Sequence, residues 1–171
     1  GYLRLDLLWN RPEQARLLLK DGWRFGSFGI ETMHDRAGKT VGKGLGKERI
    51  LDTLKMLKEE WGDQILIHAF FIAGLPYEPM SSLEETAAWL KETDLIHSVT
   101  WHYLEVANSN MPTMQFEKSS AMSKDNSKYG YTFIGQKDWV TNVGVTFSQS
   151  AEFIQRIHAD KMNMPYSRYA D

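Results

Sequence analysis

The stretch Ile65–Ile72 is apolar at every position but His68, and Gly74-Leu75-Pro76 closes it. A run this short with no polar face suits a strand buried on both sides, the mark of a parallel sheet. It follows the clearest helix of the chain. In Lys47–Trp61, the residues Ile50, Leu51, Leu54 and Leu57 recur at helical spacing, and Gly62 stops the element. Two further runs read as strands. Phe25–Thr32 puts Phe28 and Ile30 on one face and Ser27, Gly29 and Glu31 on the other, and Ser98–Val106 forms the last. Between the last two strands, Ser82 and Glu85 form a capping box for a helix carrying Leu83, Ala87 and Leu90. At the start, Tyr2–Leu8 alternates and reads as a strand. Asn10 and Pro12 then open a helix that Gly22 ends. Strand and helix alternate at even spacing, which predicts an α/β fold with a parallel sheet and right-handed crossovers.

The pattern weakens after Val106. Asn108–Tyr129 reads as a long loop, and a final helix over Gln149–Lys161 is capped by Ser148, with a tail after Asn163. Gly38–Gly46 reads as a glycine-rich loop. It fails the phosphate-loop pattern, because Gly42-Lys43 lacks the earlier glycine and Gly46-Lys47 is followed by Glu48. The lysines Lys39, Lys43 and Lys47 read as a solvated face. A net charge of -2 gives no basic footprint for nucleic acid. No apolar run reaches membrane-spanning length, and a cytoplasmic location is expected. The chain has no cysteine, so it supplies neither disulfides nor thiolate ligands.

Alternation also sorts the side chains. With Phe28 and Ile30 turned toward helices, Glu31 faces the other way, as do His68, Phe70 and Ile72 on the next strand. On the first strand Arg4 and Asp6 are expected to share that face. Charged and polar groups on an inner face point to a wet, ligand-holding cavity rather than a packed interior.

Three segments stand in a telling order: Phe28-Gly29-Ile30-Glu31-Thr32, then Lys43-Gly44, then Phe70-Phe71-Ile72-Ala73-Gly74-Leu75-Pro76-Tyr77-Glu78. Together they resemble the radical S-adenosylmethionine superfamily, in the branch with a "GIES" strand and a "GFILGLPGET" strand. Leu3-Arg4-Leu5-Asp6 resembles the preceding strand, and Met111-Pro112-Thr113 resembles a "PGTPLY" loop. The resemblance covers residues 1–116 and implies the C-terminal half of a TIM-like (β/α) barrel, with residues 117–171 as an extension ending in a helix. It implies S-adenosylmethionine as cofactor and a [4Fe–4S] cluster that drives its reductive cleavage to a 5′-deoxyadenosyl radical. That radical takes hydrogen from a substrate, small molecule or peptide, that the sequence does not identify. The cluster-binding CxxxCxxC is absent, so residues outside this chain are expected to hold the cluster. The partner is the N-terminal part of the barrel or a second chain that completes it. Phe70 stands where the family has glycine.

Residue by residue, the resemblance implies that Glu31 accepts a hydrogen bond from a ribose hydroxyl, that Ile72 packs on adenine, and that Gly74 permits close approach. The plainer readings are a salt bridge from Glu31 to Arg4 or Arg24, core packing for Ile72 and a turn for Gly74. Arg4, His68 and His102 are candidates for the substrate end. Alternatively Arg4 and Asp6 form a structural ion pair and each histidine is simply satisfied. Two rival functions remain open: a non-catalytic half-barrel that assembles with a partner, and a metal-dependent enzyme using Glu31, His68 and His102.

Overall fold

The computed structural model describes residues 1–110 and 121–160. Four parallel strands set its frame: β1 (Tyr2–Leu3), β2 (Phe25–Glu31), β3 (Leu66–Ala73) and β4 (Ser98–Tyr103) lie side by side in that order. The helices are α1 (Leu5–Asn10), α2 (Glu13–Lys20), α3 (Asp35–Thr40), α4 (Lys47–Trp61), α5 (Met80–Glu92), α6 (Ala121–Lys124) and α7 (Phe147–Asp160). A short antiparallel hairpin, β5 (Tyr131–Phe133) and β6 (Trp139–Thr141), precedes α7.

The two faces of the sheet differ sharply. Phe28, Ile30, Ile67, Ala69, Phe71, Val99 and Trp101 are buried against the helices. Phe28 stacks on Trp61 of α4 with ring centroids 6.4 Å apart, Phe71 on Trp101 at 5.0 Å, and Phe153 of α7 meets Trp101 edge-on at 5.1 Å. Each such side chain contributes about 1.5–3 kcal/mol on burial, so this face holds the fold together. The opposite face keeps large side chains in water: Tyr2 is 83% exposed, Leu66 44% and Phe25 43%.

Several sequence-based expectations need correction. The strand expected over Tyr2–Leu8 stops at Leu3, and α1 follows at once. The leucines fit both periods, but Leu5 and Leu8, three apart, are the buried pair, while Leu7 is 57% exposed. Arg4 and Asp6 therefore flank the start of a helix instead of lining a strand. Asn10 does not cap α2; it ends α1 and donates from Nδ2 to the Asp6 carbonyl at 2.8 Å. Part of the glycine-rich segment is helical, as α3, with Asp35 reaching across to cap α4 through the Lys47 N–H at 2.7 Å. Ser82 lies inside α5, which begins at Met80 after Pro79. Ser148 lies inside α7; Thr146 and Gln149 form the reciprocal box, with Gln149 N–H donating to Thr146 Oγ1 at 3.1 Å and Thr146 N–H to Gln149 Oε1 at 2.9 Å. The long loop contains α6, and the Met111-Pro112-Thr113 motif and the tail lie outside the described residues.

The hairpin closes the C-terminal end of β3. Tyr131 donates its hydroxyl to the Gly74 carbonyl at 2.8 Å, and burial pushes that hydroxyl's pKa far above its usual range. Asn142 Oδ1 accepts the Tyr77 N–H at 3.0 Å. Gly74 has φ 94, and the indole of Trp139 fills the place where a Cβ would stand. A Gly74→Ala change therefore meets both backbone strain and a rigid ring. We expect it to destabilise the chain by roughly 2–5 kcal/mol, measured by urea denaturation, with the hairpin amides losing hydrogen-exchange protection first.

Candidate functional site

A cleft of about 220 Å³ opens between the Leu3–Asp6 turn, the end of β2 at Gly29 and Ile30, and the loop from Val41 to Leu45 that joins α3 to α4. It lies toward the C-terminal end of the sheet, where open parallel sheets and barrels keep their ligand sites. Two ion pairs mark it. Arg4 grips Asp6 with two hydrogen bonds, Nη2 to Oδ2 at 2.7 Å and Nε to Oδ1 at 3.0 Å, which hold the Asp6 carboxyl below its usual range. Lys43 Nζ lies 3.1 Å from Glu31 Oε1. Lys43 is itself seated by its N–H, which donates to the Gly38 carbonyl at 2.8 Å after the turn at Gly42.

The sequence-derived candidates fall into four places. Glu31, Ile72 and His102 stand near the C-terminal ends of adjacent strands, with Ile72 directly opposite His102. Ile72 is half-buried and His102 exposed, on the sheet face that the helices leave open. Arg4 stands across the cleft, paired with Asp6. Gly74 lies beyond the strand under Trp139. Glu31 does make a salt bridge, but its partner is Lys43, which sequence reasoning left among solvated lysines.

His68 sits deeper, 4% exposed. Its Nδ1 is 2.7 Å from Ser98 Oγ and its Nε2 3.2 Å from Thr100 Oγ1, so both ring nitrogens have hydroxyl partners. Burial lowers its pKa and favours the neutral ring. Phe70 packs edge-on to His68 at 4.6 Å and stacks with Tyr2 at 5.8 Å and His102 at 6.0 Å. Gly29 lies opposite Phe70 on β2, and the place a side chain would take there is filled by the Glu31 carboxylate and Lys43 Nζ. Among the described residues, no group of three or more His, Cys, Asp or Glu is placed to hold a metal. Glu31, His68 and His102 do not form a metal centre here, because His68 lies deeper in the sheet with both ring nitrogens engaged by hydroxyls.

Glu78 closes the third of the motifs quoted from the sequence, but the reading of the sequence gave it no role. It is 1% exposed, and its Oε1 accepts the Thr32 hydroxyl at 2.7 Å and the Ser82 hydroxyl at 3.1 Å. Its Oε2 is buried with no hydrogen-bond partner. Burial pushes the carboxyl up to about 7, against the opposing pull of the two hydroxyls. The signal was its place at the end of that motif, directly after an apolar strand and turn.

The fold defines a class: an α/β half-barrel, four parallel strands flanked by helices, in the manner of a partial TIM-like barrel. Two solved structures are similar to it, and the second is described as a radical S-adenosylmethionine enzyme. One is the archaeal Methanocaldococcus infernus Elp3 with residues 1–46 deleted, at TM-score 0.64 and 14% identity over 99% of this chain. Another is coproporphyrinogen III oxidase (HemN) from Escherichia coli, at TM-score 0.49 and 17% identity over 81% of this chain. The chain spans 34% of the length of each neighbour, and at 14% identity the likeness to the archaeal Elp3 speaks to the fold alone. No family model matches the sequence, and no curated protein sequence matches it significantly. Among the described residues, no helix is long and apolar enough to cross a membrane.

Glu78 yields a signed prediction. Its carboxyl binds a proton more tightly in the fold than at its ordinary value of 4.5. Its contribution therefore favours the fold at low pH and is lost as pH rises from about 4.5 to about 7. Glu78→Gln removes that dependence. The stability difference between Glu78→Gln and the parent should grow in favour of the variant across this window, by up to about 3 kcal/mol. Denaturation at a series of pH values measures it; a flat difference would contradict the assignment.

Proposed function

We propose that this chain forms one wall of the S-adenosylmethionine pocket of a radical S-adenosylmethionine enzyme. The observation that carries the reading is the Glu31–Lys43 pair on a strained strand end, at the C-terminal edge of a half-barrel with one face left open. The residues suit part of such a ligand. Glu31 offers an acceptor for a ribose hydroxyl, Lys43 a cation for the methionine carboxylate, and Ile72 an apolar surface for adenine. The cleft is smaller than the roughly 300–1,000 Å³ of complete small-molecule sites, which agrees with a pocket shared between two halves. Gly74 serves the close approach of Trp139, and His102 with Phe70 faces the region left for substrate.

The residues do not suit the [4Fe–4S] cluster, since the chain has no cysteine. Its ligands belong to polypeptide outside this chain. When bound, the cofactor and cluster together supply a 5′-deoxyadenosyl radical for hydrogen abstraction. The contribution of this chain is to bind, orient and exclude water: Glu31 and Lys43 fix the polar ends of the ligand, and Ile72 and Phe70 keep the inner face apolar.

A second reading rests on a separate observation. Tyr2, Phe25 and Leu66 stand exposed on the open face, and β1 and β4 are edge strands. A chain that completes the barrel would cover both. On this reading the half-barrel assembles with a partner without catalysing a reaction.

Calorimetric titration of S-adenosylmethionine into the reconstituted barrel that contains this chain separates the two. The first reading expects binding, weakened about tenfold by Glu31→Gln and by Lys43→Ala, the loss of one charge-assisted hydrogen bond. Assembly without binding favours the second reading. Binding that ignores both substitutions contradicts the assigned wall.

A further inference from the structure

Glu31 adopts a conformation that needs outside support. It is a non-glycine residue at φ 69, placed where β2 slips by one residue against β3. Gly29 lies opposite Phe70, yet Glu31 lies opposite Phe71. Left-handed backbone disfavours residues with a Cβ, and it persists where neighbours fix it. Such bulges re-aim a side chain. Here the Glu31 carboxylate folds back over Gly29, where an added Cβ would come within 2.5 Å of Oε1.

The Lys43 pair is too exposed to hold this geometry alone, with side chains 36% and 19% accessible. The buried anchor comes one residue later. Thr32 is 3% exposed; its hydroxyl donates to Glu78 and its oxygen accepts the His34 N–H at 2.8 Å. Glu78 also takes the Ser82 hydroxyl, so one carboxyl joins the end of β2 to the first turn of α5. The neighbouring charges have other engagements. Arg36 lies over the Tyr77 ring at 3.7 Å, Glu84 pairs with Arg156, and the His34 ring accepts the Ala37 N–H.

We propose that Glu78 is the positioning residue for Glu31: through Thr32 it holds the bulged end of β2 and so aims the Glu31 carboxylate at Lys43 and the cleft. The consequence for ligand binding rests on the reading of the cleft as an S-adenosylmethionine wall. The backbone consequence does not.

The test uses the full chain in solution, free of ligand, by heteronuclear NMR and amide exchange. Glu78→Ala and Thr32→Val should move the Glu31 amide and Cα shifts away from left-handed values. Glu78→Ala should also lower protection of the His34 amide about tenfold or more while the α4 amides keep theirs. Glu78→Gln and Thr32→Ser retain the acceptor and the hydroxyl and should restore the Glu31 shifts. If Glu78→Ala does not fold, Thr32→Val carries the test. Unchanged Glu31 shifts in the folded variants overturn the proposal, and so does a uniform loss of protection across the chain. In the reconstituted barrel, S-adenosylmethionine affinity should fall about tenfold with Thr32→Val and recover with Thr32→Ser. Failure of the parent barrel to bind it overturns the cleft reading, while the ligand-free shifts still decide the role of Glu78.

Discussion

Burial of one face of a parallel sheet organises this chain. Phe28, Phe71 and Trp101 sit on three adjacent strands and press against Trp61 of α4 and Phe153 of α7. Because side chains alternate along a strand, committing these residues to the helices commits their neighbours to the opposite side. Ser27, Gly29, His68, Phe70, Ile72, Thr100 and His102 must then share the open face. The composition of that face, with hydroxyls, histidines and half-exposed aromatics, differs from the branched apolar filling of a closed barrel.

The strand ends turn this one-sided sheet into a site. β2 finishes in a bulge that throws the Glu31 carboxylate toward the α3–α4 loop, and β3 finishes in a left-handed glycine covered by the β5–β6 hairpin. The two ends are tied by Glu78, whose carboxyl spans Thr32 and Ser82 in a dry environment. A buried acid held by two hydroxyls is an expensive device for a simple turn. Its cost is intelligible if the position of the strand end matters.

Much of this was legible in the sequence where periodicity carries the information. The bounds of α4 match Lys47–Trp61, and β2 and β3 fall within a residue of their expected limits. Alternation alone put Phe28 and Ile30 on one face of β2, and turning that face toward the helices agrees with their burial. Periodicity failed where it was ambiguous or too short. The leucines at positions 3, 5, 7 and 8 fit a strand as well as a helix, and strands of three residues in β5 and β6 leave no pattern. The contacts that define the site were hidden for another reason. The Glu31–Lys43 pair and the Thr32–Glu78–Ser82 bridge join residues from separate loops, and a tertiary contact between polar side chains leaves no mark in either segment.

The most direct measurement locates where S-adenosylmethionine meets this chain. Isotope-labelled chain assembled in the reconstituted barrel and titrated with millimolar S-adenosylmethionine, read by amide and methyl shifts, maps that contact even when binding is weak. The account predicts shifts gathered at Gly29, Glu31, Lys43, Gly44 and Ile72, on the cleft and the open face, and absent from the helix-covered face. No shifts at these residues, or shifts confined to the helices or the β5–β6 hairpin, would contradict it.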